Sequence, residues 1–543
     1  MRKINSVFLA ALVMALSACG DGDAATISPW PAPGVPYLDQ AIAAIPAEIE
    51  TYMKATHVPG VAIAVVHGGK VVYAQGFGVA NMDTGAKVDA DTVFQLASIS
   101  KALSSTVIST QVTAGKAGWN TKIKDALSWF ALATGTGGDW VSGEVTLGDM
   151  YSHRSGLPDH GGDDLEGLGY DRQTILERLR YLPLTPFRAS YAYTNYGIMA
   201  AAEAVSHRAG KDWALLARDA LYAPLGMART TSSYQEFLAL PNRASGHSPN
   251  DDNLDGAWRV TPVQFNSDRA TAAGGSISSA NDMAKWMAIL LADGKTPGGQ
   301  QLIAPAVLND SISAHNVLPL SGDTGAAANN SFYGYGFSTG RTSNGLKYAG
   351  HNGALGQGFS TGFQVVPALD LGIVVLTNGF PLGLPETVVS EFIDLAQFGV
   401  VKADYWEVNS KMFRGAIKAA FGSSSVSGNP PAGARPAQPL AWYAGTYRND
   451  YLGEAQVTVS GDALQLHMGP AGGGKNWSLM HWDGDTFKLL LGTDDAGATA
   501  VSAVRFDLSG PKATLWLEYY NGTSKGRGTL SRADRPARRR RPA

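Results

Sequence analysis

The sequence predicts a mixed α/β (α+β) fold followed by a small all-β domain, and three observations point to it. Near the start, residues 61–66 and 71–75 are apolar, β-branched runs joined through Gly68 and Gly69, the pattern of an antiparallel hairpin. Between about residues 120 and 270 the pattern turns helical, as at 176–180 and 212–217, before strands return at 359–366 and 371–377, with Asn378-Gly379 as a turn signal. Beyond about residue 440, segments 456–460, 464–468, 487–491, 504–508 and 514–518 partly alternate apolar and polar residues between Gly- and Asp-containing turns, which predicts a small barrel or sandwich.

Composition supports a folded, water-soluble body: 543 residues, 45% hydrophobic and 16% charged, enough for one large domain and a smaller one. The formal net charge of -3 gives no basic face able to displace phosphate counterions, so no nucleic-acid partner is expected. Arg2 and Lys3 precede the apolar residues 7–16, a run too short to span a bilayer and typical of an export signal. Leu16-Ser-Ala-Cys19-Gly20 resembles the end of a bacterial lipoprotein signal, in which the cysteine receives lipid. Cys19 is the one cysteine of the chain, so it has no internal disulfide partner.

The expected layout is therefore a lipoprotein-type signal peptide at 1–18, a Gly/Ala/Asp/Pro-rich tether at 19–36 and a main domain at 37–420. A Ser/Gly/Pro/Ala linker at 421–439, a small β-barrel at 440–532 and a basic tail at 533–543 follow. The run Arg538–Arg541 in that tail is expected to be solvated. The protein is expected to be exported, periplasmic and held to the bacterial membrane through lipid on Cys19.

The chemistry concentrates in three short motifs. Ser98-Ile-Ser-Lys101 opens a predicted helix from about 98 to 113, in which Leu103, Val107 and Ile108 recur at helical spacing and Gly115 marks a stop. Residues three apart share a helix face, so the Lys101 amine can reach the Ser98 hydroxyl, and burial would keep that amine partly neutral, as a base requires. Tyr193-Thr-Asn195 offers a phenol to shuttle a proton to the leaving group and an amide to hold Lys101 and a substrate carbonyl. Tyr191 and Tyr196 are read as bystanders.

His351-Asn-Gly353 lies in the glycine-rich stretch 350–358, which predicts a bare strand edge able to pair with an extended guest. His351 is expected on the leaving-group side as a donor or cation. The backbone N–H groups of Ser98 and Ala354 form the candidate oxyanion hole. His153 sits in Ser152-His-Arg-Ser-Gly-Leu-Pro158, near His160, Asp163 and Asp164, without any recognisable metal-ligand spacing, and is assigned a structural role. Trp119 and Trp286 are assigned to the core. No metal and no cofactor are expected.

In this order the motifs resemble those of the penicillin-binding-protein and class C β-lactamase superfamily of active-site serine hydrolases, Ser-x-x-Lys, Tyr-x-Asn and Lys-or-His-x-Gly. The resemblance covers roughly residues 40 to 400 and includes Val58-Pro-Gly-Val61 and residues 273–279. It implies a five-stranded antiparallel sheet flanked by helices, an all-helical region, and the serine in the cleft between them. It further implies an acyl-enzyme on Ser98, with Lys101 and Tyr193 as base and proton shuttle, His351 also catalytic, and Asn195 and Gly353 binding substrate, beside Ala354 of the candidate oxyanion hole.

A histidine at 351, where β-lactamases of this type place lysine, resembles certain D-alanyl-D-alanine carboxypeptidases and D-aminopeptidases. Overall size and the C-terminal region resemble members that carry small barrels, among them bacterial peptidases acting on linear D-residue peptides such as linearised microcystin. The expected activity is hydrolysis of amide bonds in peptide-like substrates. Carboxylester hydrolysis or weak β-lactam hydrolysis is the alternative, and a non-catalytic penicillin-binding receptor is a third reading.

Overall fold

The computed structural model describes residues 34–133, 138–250, 253–262, 264–318, 331–421, 424–492 and 499–533. Cys19, the expected signal segment, nearly all of the tether and Arg538–Arg541 lie outside the described residues.

The predicted hairpin forms strands Gly60–His67 and Lys70–Gly78, turned by Gly68 and Gly69 at φ 61° and 69°, backbone angles that glycine adopts without strain. Among the described residues the main sheet has eight strands, rather than the five implied by the resemblance. Its order is Lys70–Gly78, Gly60–His67, Leu371–Thr377, Phe359–Val366, Lys347–Leu355, then the short Ser338–Arg341, Phe332–Tyr333 and Asn316–Val317. The five long strands are the expected antiparallel core, and the three short ones lacked enough residues to show a pattern. Asn378-Gly379 does not make a hairpin turn. Asn378 is buried, and its side-chain amide donates to the carbonyls of Val79 and Ala80, both at 3.0 Å, so that it ties two segments together.

Helices cover both faces of this sheet. Val61, Ile63, Val65, Ile373 and Val375 face helices Leu38–Thr56 and Leu384–Phe398, while Ala62, Ala64, Val374 and Leu376 belong to the second core with Met283, Trp286 and Met287 of helix Ala280–Leu291. Helix Ser100–Thr113 runs through that second core, buried from Ser100 to Gln111. Several of its buried hydroxyls bond back to their own helix, among them Thr106 to the Ala102 carbonyl at 2.8 Å, Ser109 to Ser105 at 2.9 Å and Thr110 to Val107 at 2.7 Å. Trp119 and Trp286 are core residues, as expected.

The C-terminal region closes an eight-stranded antiparallel barrel, from Gly445–Asn449 through Thr529–Arg532. Its interior is packed with Tyr447, Leu464, Leu466, Met468, Phe487, Leu489, Phe506 and Leu515, and it continues into the same core as Leu165, Leu168 and Tyr170 of the helical region. The Ser/Gly/Pro segment before it, expected to lack one conformation, is instead strapped to the barrel over its described part. Ser424 and Ser425 bond to Glu518, Val426 is buried, and Arg435 pairs with Asp483 at 2.8 Å. These polar anchors replace the apolar burial that its composition cannot supply.

Candidate active site

The nucleophile candidate sits in a short 3-10 turn, Ala97–Ile99, just ahead of the helix expected to begin at Ser98. Strand Val93–Gln95, paired with Ile277–Ser279, delivers the chain to this turn, and the Leu96 N–H donates to the Ser276 carbonyl at 2.9 Å. Ala97 adopts φ 50°, a left-handed conformation that costs a non-glycine residue about 1–2 kcal/mol. The result is a half-buried Ser98 presented ahead of the helix's first turn.

Lys101 is fully buried, and its amine has three neighbours: Asn195 Oδ1 at 2.7 Å, the Ala273 carbonyl at 2.8 Å and Ser98 Oγ at 3.1 Å. Burial lowers its pKa to about 7, against the opposing pull of Asp163 and Glu166. Burial pushes the Glu166 carboxyl up to about 8, so near neutrality it is largely protonated and adds little negative charge beside the amine. A neutral amine has two N–H donors and one lone pair. Asn195 and Ala273 offer acceptors only and take the two N–H groups, which leaves the lone pair for the Ser98 hydroxyl.

Tyr193 completes the cluster, with its phenol 2.7 Å from Ser98 Oγ and the Lys101 amine 4.5 Å above its ring. Burial raises its pKa above the ordinary tyrosine value, so the phenol stays protonated near neutrality. The 191–195 segment is fastened from the 152–158 tract and the loop that follows it. Asp159 accepts from the Tyr193 N–H at 3.0 Å, the Tyr193 carbonyl accepts from the His160 N–H at 2.7 Å, and His153 Nδ1 accepts from the Thr194 N–H at 3.1 Å. His153 is buried and held well below its usual pKa, by burial first and then by Lys101. It packs its ring on those of Tyr193 and Tyr333, which fits the structural role expected of it.

Asn195 opens helix Asn195–Ala209. Its Oδ1 is occupied by Lys101, and its Nδ2 donates to Asp163 at 2.9 Å, leaving one N–H for a substrate carbonyl. Asp163 also takes a hydrogen bond from the His160 ring at 2.7 Å. Among the described residues no group of three or more His, Cys, Asp or Glu is placed to hold a metal ion.

The third motif lies on strand Lys347–Leu355 beside the nucleophile turn. At Gly353 a Cβ would fall 2.3 Å from the Leu96 carbonyl, so only glycine lets the strand approach this closely. The expected bare edge needs two corrections. Strand Ser338–Arg341 covers it as far as Gly350, and only from His351 onward does no described strand pair with that side. His351 is not a cation. Burial, reinforced by Lys101, drives its pKa down to about 3. Its Nδ1 donates to the Asn352 carbonyl at 2.6 Å, and its Nε2 accepts from the Tyr333 hydroxyl at 2.7 Å. The ring is thus fixed and neutral beside Tyr193, with neither nitrogen left to donate to a leaving group.

The structure gathers Ser98, Lys101, Tyr193 and Asn195 by direct hydrogen bonds, with Gly353 against the Ser98 turn and His351 close to Tyr193, ring centroids 6.5 Å apart. Ala354 follows Gly353 on the same strand and is exposed. Sequence reading missed Asp163 as the partner of Asn195, Asp159 as the clasp on Tyr193, the Ala273 carbonyl, and Tyr333. Residue 273 stood in a stretch already singled out, but a carbonyl leaves no trace in residue type.

Comparison with known proteins agrees with this geometry. An unguisins hydrolase of Aspergillus campestris is 28% identical over 351 residues, 63% of this chain and 62% of its own length. Penicillin-binding protein 4 of Amycolatopsis lactamdurans is 29% identical over 334 residues, 60% of this chain and 81% of its own. The structure of an octameric penicillin-binding protein homologue from Pyrococcus abyssi superposes over 90% of this chain and all of its own, with TM-score 0.57 and 19% identity, a likeness of fold. A domain of unknown function matches residues 429–518. With the Beta-lactamase family matching residues 45–398 around the Ser98, Lys101 and Tyr193 cluster, this chain belongs to the beta-lactamase family of serine hydrolases.

Proposed function

We propose that the protein hydrolyses amide bonds of peptide-like substrates through an acyl-enzyme on Ser98. One observation carries this reading: the two N–H groups of a neutral Lys101 are spoken for by Asn195 and Ala273, so its lone pair faces the Ser98 hydroxyl at 3.1 Å. Ser98 Oγ attacks the carbonyl carbon while its proton passes to Lys101 Nζ. The oxyanion is received by the backbone N–H groups of Ser98 and Ala354. Tyr193, hydrogen-bonded to Ser98 Oγ at 2.7 Å, relays the proton to the departing nitrogen, and the C–N bond breaks. Water then enters, gives a proton back through the same pair, and its oxygen displaces Ser98 from the acyl carbon.

The edge from His351 onward, with which no described strand pairs and which lies next to the nucleophile, favours an extended backbone as substrate, paired by main-chain hydrogen bonds. Histidine at 351, in the manner of D-alanyl-D-alanine carboxypeptidases and D-aminopeptidases, favours peptides with D-residues, of which linear microcystin-type peptides are one class. Ester hydrolysis remains the second reading, because the same acyl-enzyme serves both bonds.

A fluorophosphonate followed by intact-mass and peptide mapping should add one adduct, on Ser98; an adduct elsewhere overturns the nucleophile. A panel of L- and D-residue peptides, short-chain esters and a chromogenic cephalosporin should show fastest turnover on a D-residue peptide. Faster turnover of the esters would move the assignment to an esterase. We further propose a periplasmic, lipid-anchored location. Cys19→Ala should release the protein from membrane fractions, and retention there would count against the anchor.

A further inference from the structure

We propose that the barrel is a working part of the catalytic centre: the Tyr451 hydroxyl, from the turn between its first two strands, is a positioning group that fixes helix Asp163–Gly167 and, through Asp163, the Asn195–Lys101 pair. The proposal rests on the reading of Lys101 as the base for Ser98.

Tyr451 lies between strands Gly445–Asn449 and Gly453–Ser460, and its side chain leaves the barrel to become buried against the helical region. Its hydroxyl does two things at the start of helix Asp163–Gly167. It donates to Asp164 Oδ1 and accepts from the Gly162 N–H at 3.2 Å. One phenol therefore holds the side chain of the helix's second residue and the backbone just ahead of its first. Gly162, at φ 100°, contributes no side chain to this helix start, so the Tyr451 hydroxyl, bonded to the Gly162 N–H and to Asp164, is the side chain that anchors it from outside.

The turn that carries Tyr451 is itself held. The Tyr170 hydroxyl donates to the Leu452 carbonyl at 2.9 Å, and Arg178 donates to the Tyr451 carbonyl at 3.1 Å while its guanidinium covers the Tyr170 ring at 4.1 Å. Gly453, at φ 82°, passes so close that a Cβ would fall 2.4 Å from the Tyr170 hydroxyl. From the helix the linkage runs to the reacting groups: Asp163 Oδ2 accepts from Asn195 Nδ2 at 2.9 Å, and Asn195 Oδ1 accepts from Lys101 at 2.7 Å.

Removing the phenol's hydrogen bond leaves the Asp164 carboxyl buried with only the Leu165 N–H at 3.0 Å, a loss that favours movement of the helix toward water. The groups facing Lys101 are Asp163 and Glu166 from this helix, His160 and His153 from the loop before it, Tyr193 and Asn195 from the second motif, Ser98 from its own turn and His351 from the strand. When the helix withdraws, Asp163 recedes, and the ammonium form of Lys101 loses its nearest carboxylate support. The base then titrates at lower pH and is aimed less well.

The test uses the full chain and the rate at which a fluorophosphonate labels Ser98 as a function of pH, read by intact mass. Tyr451→Phe keeps the ring and removes the hydroxyl. The plateau rate should fall about fivefold and the acid limb should move down by ~0.5 pH unit. Arg178→Gln, which loosens the same turn from the opposite side, should shift both in the same direction by less, and serves if Tyr451→Phe folds poorly. Unfolding midpoints of both variants show that the comparison is made on folded protein. A wild-type plateau and limb in both variants would overturn the proposal. So would a lower plateau with an unmoved or raised limb, which is what lost packing alone would give. Failure of the wild-type protein to label would remove the Lys101 reading and this inference with it, whereas unchanged variants of a labelling protein remove this inference alone.

Discussion

The central sheet and the C-terminal barrel bury their strands differently. Strand Leu371–Thr377 is buried at every position and Gly60–His67 at all but its last, whereas Ala463–Met468 alternates between half-buried and buried residues. Helices cover the sheet on both faces, while the barrel is dry only inside. Between the inner strands and the helices, where Ser100–Gln111 of helix Ser100–Thr113 are buried, a lysine amine can be held out of water and so become a base. A region wet on one face does its work through its turns and rim, as the Tyr451 turn does. Their shared core nevertheless runs from the helical region into the barrel without a gap, which predicts that the two unfold together.

The largest effects should fall on the dry side. Ser98→Ala and Lys101→Ala should each lower the acylation rate by about a thousandfold or more. Ser98→Ala should leave the unfolding midpoint near wild type, since among the described residues the Ser98 hydroxyl is bonded only to Lys101 and Tyr193. Labelling kinetics with a melting curve checks both statements, and an active Lys101→Ala variant would break the contrast at its root.

The pH profile sharpens it. Lys101 accepts a proton only as the neutral amine, and burial lowers its pKa to about 7, so the rate should climb as pH rises through about 7 and fall away below. His351, driven to about 3, is already neutral throughout that range and should add no limb there. A profile flat from acid to neutral pH would contradict the assignment of the base.

Next in size comes stability. Leu466→Ala inside the barrel should cost about 2–5 kcal/mol, as should Ile373→Ala in the sheet. Because the core is continuous, both should move one denaturant transition; two separate transitions would show that the barrel unfolds independently. The smallest effect is expected at Tyr333→Phe, which deletes one hydrogen bond to His351 Nε2. A loss of about two- to fivefold on amide substrates, with activated esters little changed, would place His351 in shaping the leaving-group side of the cleft. Equal losses on both substrates would contradict that placement.

Much of this was legible beforehand because the defining contacts are local or carried by unusual residue types. Ser98 and Lys101 lie one helical turn apart, the hairpin shows its glycines, and the barrel strands alternate. What escaped depends on tertiary placement. Asp163 stands 32 residues before Asn195 and meets it only because the intervening chain folds back. The protonation state of His351 is set by burial and by Tyr333, which belongs to a two-residue strand too short to announce itself. The Pro/Gly-rich segment before the barrel looked unstructured because its anchors, Glu518 and Asp483, come far later in the chain.

Ala97 has a bearing on how this protein tolerates change. Its left-handed backbone, φ 50° with a side chain present, resembles a spring kept compressed by its surroundings: the tension is set during folding, so none has to be supplied when substrate arrives. Glycine at this position would relax the tension and give the nucleophile more ways to point. A search for heat-resistant variants should therefore favour Ala97→Gly, while a search for faster ones should reject it.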